Sequence, residues 1–331
     1  MQLSSRTNKT ITALAVFIFA VIVGAVFFVF IARERTALPT HASEEIAIEE
    51  NTGLRLEDLA TGCLETDCIP ALNKPKFDTL NEANEWLDDE DMVFGISYKG
   101  EVRAYPQNIL NWHEIINETI AGDPVLVSYC PLCGSIAAYK RLVGGKPVQF
   151  GVSGKLYNSN LIMYDRSSES NYWQQATGEA IIGPAKERGE ILEKLSIAPT
   201  TWAEWKENHP DTMVLSRDTG HKRDYTKNSY AEYEQNGETL FGVTYDDTRF
   251  PVKGVVYGFT FAQKHAAYPL SILEQDKTIE DIIESVPVRV EMKADGEVFM
   301  VVESSEEKII PLRTFWFMWV AFYPDTEIYS D

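Results

Sequence analysis

The chain has 331 residues, of which 44% are apolar, so it is long enough to bury one large core or two modest ones. Its formal net charge of −20 argues against a nucleic-acid partner, because such proteins gain much of their affinity by neutralising phosphates. The acidity is typical of a solvated, soluble surface.

An uncharged segment lies near the amino terminus, at residues 11–32. A helix of this length would cross the roughly 30 Å hydrocarbon core of a membrane. It is also longer than the apolar region of a cleaved signal peptide, which has about 7–15 residues. We therefore expect residues 1–35 to form a cytoplasmic tail and a transmembrane signal anchor. The membrane would be a partner through residues 11–32, and the single-pass protein would carry its globular domain outside the cytoplasm.

Residues 36–92 are predicted to be an acidic tether and a lead-in to the globular domain. The lead-in contains Cys63 and Cys68 and a short helix at Leu80–Leu87. An even number of cysteines in an exported domain usually indicates disulfides, so we expect Cys63 and Cys68 to form one.

The globular domain is predicted to begin at residue 93 with strand patterns. Met92–Tyr98 and Glu101–Tyr105 flank a Lys-Gly turn and predict a β-hairpin. Pro106 suits the first turn of a helix, and Gln107–Glu118 carries apolar residues at helical spacing.

A strand then leads into a pair of cysteines. Val125–Tyr129 is rich in β-branched residues and is followed at once by Cys130-Pro-Leu-Cys133-Gly. Ser135–Val143 and Pro147–Val152, separated by a glycine-rich turn, predict a further hairpin. The two cysteines are therefore expected in a turn between strands.

Two parts of the chain resemble later parts of the same chain. Val93–Val127 aligns without a gap on Val256–Val290, and the two share glycine, Tyr-Pro and apolar positions. Trp202–Thr212 matches Trp316–Thr326 in both tryptophans and in Pro-Asp-Thr. Such self-similarity indicates an internal duplication.

From this duplication we predict an α+β, β-rich globular domain behind one transmembrane helix. It would contain two unequal repeats, at residues 93–215 and 256–331, joined by a connector at 216–255. The second repeat has no counterpart of the stretch from about Cys130 to Gly178. We expect the functional site in this unshared stretch.

A set of short motifs identifies a family resemblance. The motifs are Arg103-Ala-Tyr-Pro106, His113-Glu-Ile-Ile-Asn117, Tyr129-Cys-Pro-Leu-Cys-Gly134, Phe150-Gly-Val-Ser-Gly154, Leu156-Tyr-Asn-Ser-Asn160, Met163-Tyr-Asp-Arg166 and His209-Pro-Asp-Thr212. Together they resemble the domain-of-unknown-function family 3179 over roughly residues 69–329. The resemblance implies an exported or membrane-attached prokaryotic protein and no particular activity.

Metal binding is one hypothesis for the cysteine motif. Two cysteines in a tight turn resemble a metal knuckle, and Cys130, Cys133 and His113 are the candidate ligands. Cys63 and Cys68 are further candidates. Zinc, copper or iron would suit such ligands.

Thiol chemistry is a second hypothesis. Cys130 and Cys133 could cycle between dithiol and disulfide, or form a structural disulfide. In a nucleophilic mechanism Cys130 or Ser153 would attack, with His113 as the base and Glu114 or Asp165 orienting it.

Ligand binding is a third hypothesis. The basic and amide side chains Arg103, Lys155, Asn158 and Arg166 are candidates for binding a small anionic ligand. Aromatic and amide residues are typical of polar-ligand surfaces, which adds Trp173 and Gln174.

The leading functional prediction is a cysteine and histidine site that binds a metal or performs thiol-dependent chemistry. The alternative is a non-enzymatic binding module for a polar ligand or envelope component. The sequence does not decide whether the protein is an enzyme, and it leaves the oligomeric state open.

Overall fold

The structure is a computed structural model that describes residues 54–245 and 247–330. In these residues β-strands dominate and the α-helices are short. The strands are β1 (Ala60–Thr61), β2 (Phe77–Thr79), β3 (Met92–Tyr98), β4 (Glu101–Pro106), β5 (Ile115–Ile120), β6 (Asp123–Cys130), β7 (Ser135–Lys140), β8 (Leu142–Val143), β9 (Lys146–Pro147), β10 (Phe150–Tyr157), β11 (Asn160–Asp165), β12 (Tyr172–Gln174), β13 (Ala180–Ile182), β14 (Lys194–Leu195), β15 (Ala198–Thr201), β16 (Met213–Leu215), β17 (Val255–Phe261), β18 (Lys264–Pro269), β19 (Thr278–Ile283), β20 (Val286–Met292), β21 (Val298–Val302), β22 (Glu307–Ile309), β23 (Leu312–Phe315) and β24 (Glu327–Ile328). The helices are α1 (Leu80–Ala83), α2 (Gln107–His113), α3 (Pro184–Glu187), α4 (Trp202–Asn208), α5 (Ala231–Gln235), α6 (Leu270–Asp276) and α7 (Trp316–Phe322), with a 3-10 turn at Leu56–Asp58.

The strands form four main sheets. Sheet A has the order β1-β10-β11-β12-β13, and sheet B has the order β24-β18-β17-β23-β7-β6-β5 with β14 added beside β7. Sheet C has the order β15-β3-β4-β16-β2, and sheet D has the order β19-β20-β21-β22. Strands β8 and β9 form a separate ribbon. Sheets A and B contribute the elements around Cys130 and Cys133.

The predicted hairpin at residues 92–105 is confirmed, because β3 and β4 pair in antiparallel register. The predicted helix that follows is correct only at its start. Helix α2 ends at His113, since Glu114 takes a left-handed conformation with φ of 53°. The residues after it, Ile115–Ile120, form β5 and pair with β6. Their β-branched side chains and the pairing outweigh the helical spacing of the apolar residues.

Tryptophans from two helices pack against strand glycines. Trp205 of α4 covers Gly95 of β3, and Trp319 of α7 covers Gly258 of β17. Each indole also donates a hydrogen bond: Trp205 to Thr212 at 3.0 Å and Trp319 to Thr326 at 2.8 Å. A glycine is required at each contact because a Cβ would overlap the indole ring.

The prediction of a domain made of two repeats is wrong, because the sheets do not follow the predicted repeat boundaries. Strand order and register do recur locally, since Gly95 pairs with Ala104 as Gly258 pairs with Ala267. However, the corresponding hairpins lie in different sheets, β3–β4 in sheet C and β17–β18 in sheet B. Sheet B also joins strands of both predicted repeats, because Arg313 of β23 pairs with Ile136 of β7. The chain therefore does not divide into two separate repeat units.

The prediction of a transmembrane helix also requires correction. Across residues 54–245 and 247–330, the structure contains no helix with the length and apolarity needed to cross a membrane. The predicted span at residues 11–32 lies outside the described residues. The structure thus gives no support to the predicted transmembrane helix or to the single-pass membrane location.

The tryptophan–glycine contact yields a stability prediction. A Gly95→Ala change should lower the free energy of unfolding by about 2–3 kcal/mol, because the added methyl group would overlap the Trp205 ring. Gly237→Ala is the matched control, since a Cβ there would meet no atom within 4 Å. Urea unfolding followed by circular dichroism would measure both. Equal stability of the two variants would contradict this account of the packing.

Candidate functional site

The cysteine motif forms the turn between β6 and β7, as the sequence predicts. Cys130 is the last residue of β6, and it pairs with Ser135, the first residue of β7. Gly134 adopts a φ of 58°, and a Cβ there would lie 2.7 Å from the Phe315 ring. A glycine is therefore required both for the backbone conformation and for the close contact.

Three hydrogen bonds attach this turn to β23. The Cys133 carbonyl accepts from the Phe315 backbone N–H at 2.8 Å and from the Thr314 hydroxyl at 2.9 Å. The Gly134 carbonyl accepts from the Arg313 guanidinium at 2.7 Å. The turn that carries both cysteines is therefore fixed to a strand far away in the sequence.

Cys130 and Cys133 are both free thiols, and both are buried, with 1% and 0% of their surface exposed. The Cys133 sulfur accepts a hydrogen bond from Asn160 Nδ2 at 3.0 Å and lies 3.3 Å from Ser135 Oγ. Burial alone would disfavour the thiolate. Hydrogen bonds from Cys130, Ser135 and Asn160 nevertheless hold the pKa of Cys133 below its usual value.

Cys130 has the opposite character. The pKa of Cys130 is raised well above its usual value. Burial is the largest cause, and the hydrogen bond with Cys133 and the charge of Cys133 add to it. Its sulfur lies 3.6 Å from the Ser159 carbonyl oxygen. The pair is therefore asymmetric, with Cys133 favoured as the thiolate and Cys130 as the protonated thiol.

A buried amide network fixes the orientation of Asn160. Its Oδ1 accepts from Gln174 Nε2 and from the Ala176 backbone N–H at 3.2 Å. Its Nδ2 must then be the group that faces Cys133 and Gln175 Oε1. Gln174, predicted from the sequence as a ligand residue, thus positions the amide that contacts the Cys133 sulfur.

Gln175 and Ser135 complete this network. The Ser135 hydroxyl donates to Gln175 Oε1 at 2.7 Å, and Gln175 Nε2 donates to the Ser128 carbonyl at 2.8 Å. Every member is at least nine-tenths buried. A buried network of this kind is rigid and strengthens each of its hydrogen bonds.

Glu114 supplies a buried acid beside the thiols. It ends helix α2 in a left-handed conformation, and its carbonyl accepts from the Tyr129 backbone N–H at 2.8 Å. Burial, together with the charge of Cys133, raises the pKa of Glu114 to about 8. A carboxyl group in this state can hold or accept a proton near neutral pH.

Helix α5 and its flanking loops cover the site. The Tyr233 hydroxyl donates to the Leu132 carbonyl of the cysteine turn at 2.7 Å. Ser159 Oγ donates to the carbonyls of Leu240 and Gly242, the latter at 3.2 Å. Tyr230 is near Glu114 and Cys130. Its pKa is raised first by burial and then by the charges of these two residues. We refer to residues 225–245 as the cover.

His113, predicted as a base and metal ligand, is bound elsewhere. Its Nδ1–H donates to the Pro70 carbonyl at 2.7 Å, so Nε2 must accept the Tyr225 hydroxyl at 2.6 Å. Burial lowers the pKa of His113 to about 4, and the ring stays neutral at pH 7. Both ring nitrogens are therefore occupied.

The predicted metal site does not form in the structure. Within residues 54–245 and 247–330, no three side chains of His, Cys, Asp or Glu are grouped so that they could hold a metal ion. Cys63 and Cys68 are joined by a disulfide, which removes them as ligands. The side-chain groups within hydrogen-bonding distance of the Cys133 sulfur are Asn160 Nδ2 and Ser135 Oγ, which are not usual metal ligands beside a thiolate.

The other predicted catalytic residues have structural partners. Ser153 Oγ donates to the Ile162 carbonyl at 2.5 Å, across the bulged pairing of β10 and β11. The buried Asp165 carboxylate accepts from Trp173 Nε1 at 3.0 Å and from Asn171 Nδ2 at 2.8 Å. Asp165 and Trp173 therefore stabilise the loop before β12 rather than contact His113.

The predicted ligand-binding residues are also engaged within the protein. Asn158 forms the turn between β10 and β11, donates to the Ala321 carbonyl at 3.1 Å and accepts from Thr244 at 2.9 Å. The basic residues pair as follows: Arg166 with Asp67 at 2.8 Å, Lys155 with Thr61 at 2.9 Å, and Arg103 with Glu101 at 2.5 Å. The structure does not gather them into one anion site.

Sequence reasoning missed the residues that surround Cys133. Ser135, Asn160 and Gln175 come from three separate places in the chain and meet only in the folded protein. A signal for Asn160 was present, because Asn158 favours the left-handed conformation of a tight hairpin turn, which Asn158 and Ser159 both adopt. That turn brings Asn160 to the cysteines.

The buried carboxyl group of Glu114 yields a pH prediction. Its pKa is about 8 in the folded protein against about 4.5 for an unburied glutamate, so between these values the folded state holds a proton that the unfolded state releases. The contribution of Glu114 to the free energy of unfolding therefore falls as pH rises, by up to about 1.4 kcal/mol per pH unit. Glu114→Gln cannot ionise, and its stability relative to the natural protein should rise by several kcal/mol from pH 5 to pH 9.

Urea unfolding of both proteins at several pH values would measure this difference. Glu85→Gln, at an exposed position, is the control and should show no such trend. A stability difference for Glu114→Gln that does not vary with pH would show that the carboxyl group is not held protonated in the folded state.

Comparisons with known proteins give one positive result. A family model described as "Protein of unknown function (DUF3179)" matches residues 66–326, which include all of the site. No curated protein and no solved structure matches the chain. Because the family match covers well over half of the 331 residues, the chain belongs to the DUF3179 family of proteins of unknown function.

Proposed function

We propose that Cys130 and Cys133 form a reversible dithiol–disulfide couple that exchanges electrons with an external thiol or disulfide. The observation that carries the proposal is the asymmetry of the two buried thiols. Asn160 and Ser135 lower the pKa of Cys133, whereas that of Cys130 is raised. A low-pKa attacking thiol beside a protonated resolving thiol is the arrangement that thiol–disulfide exchange requires.

The proposed reaction begins at Cys133. Its thiolate attacks one sulfur of a disulfide R–S–S–R, the R–S–S–R bond breaks, and RS⁻ leaves and takes up a proton. Cys130 then transfers its proton to the Glu114 carboxylate and attacks the Cys133 sulfur. The second RS⁻ leaves and receives that proton. Two electrons and the Cys130 proton have passed from the protein to the substrate, and solvent has supplied the other proton. The reverse sequence reduces the protein disulfide.

Glu114 suits the role of proton acceptor. A pKa of about 8 means that the carboxyl group is partly ionised near neutral pH, so it can both take and return a proton. Its charge interacts with both Cys130 and Cys133. The neutral His113 is committed to Pro70 and Tyr225, so we assign the proton transfer to Glu114 instead.

The reaction requires the cover to open. Both sulfurs are buried, and Tyr233, on the cover, is hydrogen-bonded to Leu132 between the cysteines. The cover contains one short helix, Ala231–Gln235, and otherwise irregular backbone, so local opening is less costly there than in a sheet. We propose that an approaching disulfide reaches Cys133 after such an opening.

The alternative of a polar-ligand binding module has weaker support. Trp173 and Gln174 were the residues that suggested such a module. Their exposed fractions are only 0% and 2%, and they donate hydrogen bonds to Asp165 and Asn160, respectively. They present no open surface to a ligand. That alternative also expects Cys130 and Cys133 to form a structural disulfide, whereas both are free thiols in the structure.

Redox equilibration tests the proposed couple. The purified protein would be equilibrated with mixtures of reduced and oxidised glutathione, quenched in acid, alkylated and analysed by peptide mass spectrometry. We expect the peptide with Cys130 and Cys133 to pass from doubly alkylated to disulfide-bonded in a single two-electron transition. Cys130→Ser should stop at a mixed disulfide of Cys133 with glutathione, because the resolving thiol is missing.

The disulfide between Cys63 and Cys68 supplies the matched control. A Cys63→Ser/Cys68→Ser double variant should keep the Cys130–Cys133 transition, which would show that the signal comes from the buried pair. The proposal is wrong if Cys130 and Cys133 stay reduced at every glutathione ratio in the folded protein and react only after unfolding in urea.

A further inference from the structure

One cavity is lined by residues outside the thiol network. Its volume is about 310 Å³, and its walls come from the segment after Cys63, the end of helix α2 and the start of the cover. The lining residues are Cys68, Ile69, Pro70, Asn111, Trp112, Arg223, Ser229 and Tyr230. None of the thiol-network residues Ser135, Asn160 and Gln175 lines it.

Two buried polar atoms of residues that line the cavity have no hydrogen-bond partner among the residues that the structure describes. Asn111 Oδ1 and Trp112 Nε1 are the atoms concerned, one an acceptor and the other a donor. Asn111 is only 2% exposed. Buried polar atoms in folded proteins are normally hydrogen-bonded, so an orphaned donor and acceptor on neighbouring residues require an explanation.

The orientation of the Asn111 amide is fixed by its neighbours. Asn228 Nδ2 donates to Glu234 at 2.8 Å, and Asn228 Oδ1 accepts from the Tyr230 backbone N–H at 2.9 Å. Asn111 must therefore use its Nδ2 to donate to Asn228 Oδ1, at 2.8 Å. This leaves Asn111 Oδ1 as an acceptor that needs a donor from elsewhere.

Arg223 adds a positive charge on the Trp112 side of the cavity. Its guanidinium carbon lies 5.5 Å from the centre of the Trp112 ring. Among residues 54–245 and 247–330 it forms no salt bridge, and its side-chain hydrogen bond goes to the Lys222 carbonyl at 3.1 Å. The guanidinium over the indole ring and the indole N–H are both donors that a carboxylate can accept from.

We propose that this cavity binds a small carboxylate that also carries an N–H or O–H donor. The carboxylate would accept from Trp112 Nε1 and Arg223, and the donor of the ligand would satisfy Asn111 Oδ1. The cavity volume lies at the lower end of the range found for small-molecule binding sites. It therefore suits a ligand the size of an amino acid or dipeptide. The inference does not depend on the redox activity proposed for Cys130 and Cys133.

Isothermal titration calorimetry of the purified protein with glycylglycine tests this inference. We expect saturable binding at millimolar concentration or below. Trp112→Phe keeps the ring but removes the Nε1 donor, and it should weaken binding by about tenfold, the effect of one lost charge-assisted hydrogen bond. Glycylglycinamide, which lacks the carboxylate, should bind at least tenfold more weakly than glycylglycine.

Trp86→Phe is the matched control. Trp86 also carries an arginine over its ring, Arg217 at 4.8 Å, but its Nε1 donates to Asp78 at 3.1 Å. Trp86 does not line the cavity, so its variant should bind glycylglycine like the natural protein. Circular dichroism would establish that both variants are folded.

Three results would overturn the inference. One is the absence of saturable binding of glycylglycine at millimolar concentration. Another is binding that Trp112→Phe leaves unchanged or that Trp86→Phe weakens equally. The third is equal affinity for glycylglycinamide, which would show that no carboxylate is recognised.

Discussion

The junction between β7 and β23 is the contact on which both the fold and the candidate site depend. Arg313 and Ile136 pair there, and the main chain of the cysteine turn extends the contact through Phe315, which donates to the Cys133 carbonyl at 2.8 Å. The junction joins two groups of strands into the single sheet B. Because the same turn holds both thiols, their positions are set by long-range sheet pairing rather than by the flexibility of a loop. Chemically active groups on such a rigid support keep their geometry.

The difference between the two thiols originates in a few neutral hydrogen bonds. No basic side chain is needed to favour the Cys133 thiolate, since the amide of Asn160 and the backbone N–H of Ser135 supply donors. These donors are effective because the site is buried, where a hydrogen bond to a charged atom is not weakened by water. The same burial keeps Glu114 largely protonated. Burial thus raises the pKa of Glu114, whereas at Cys133 the hydrogen bonds to the sulfur outweigh the same burial and lower the pKa.

Local sequence patterns predicted the β-rich character, the first hairpin, the start of α2 and the turn that carries Cys130 and Cys133. They failed where tertiary contacts decide. The apolar spacing of Gln107–Glu118 suits a helix, but Glu114 turns the chain and the residues after it pair with β6. His113 looked like a base because histidine often serves as one, whereas its partners Pro70 and Tyr225 lie far away in sequence. The residues around Cys133 could not be found for the same reason, since Asn160 and Gln175 reach the sulfur or its neighbours only after sheets A and B have assembled.

Residue 133 contributes to the molecule through two chemically separate parts. Its carbonyl oxygen holds the sheet junction, and every amino acid possesses that oxygen. Its sulfur contacts Asn160 and Ser135, and only cysteine possesses that atom. The sheet junction at this point therefore depends on the main chain of residue 133, whereas the thiol chemistry depends on its side chain. A substitution here would remove the sulfur and keep the main-chain acceptor of the junction, so a single residue change separates the two contributions.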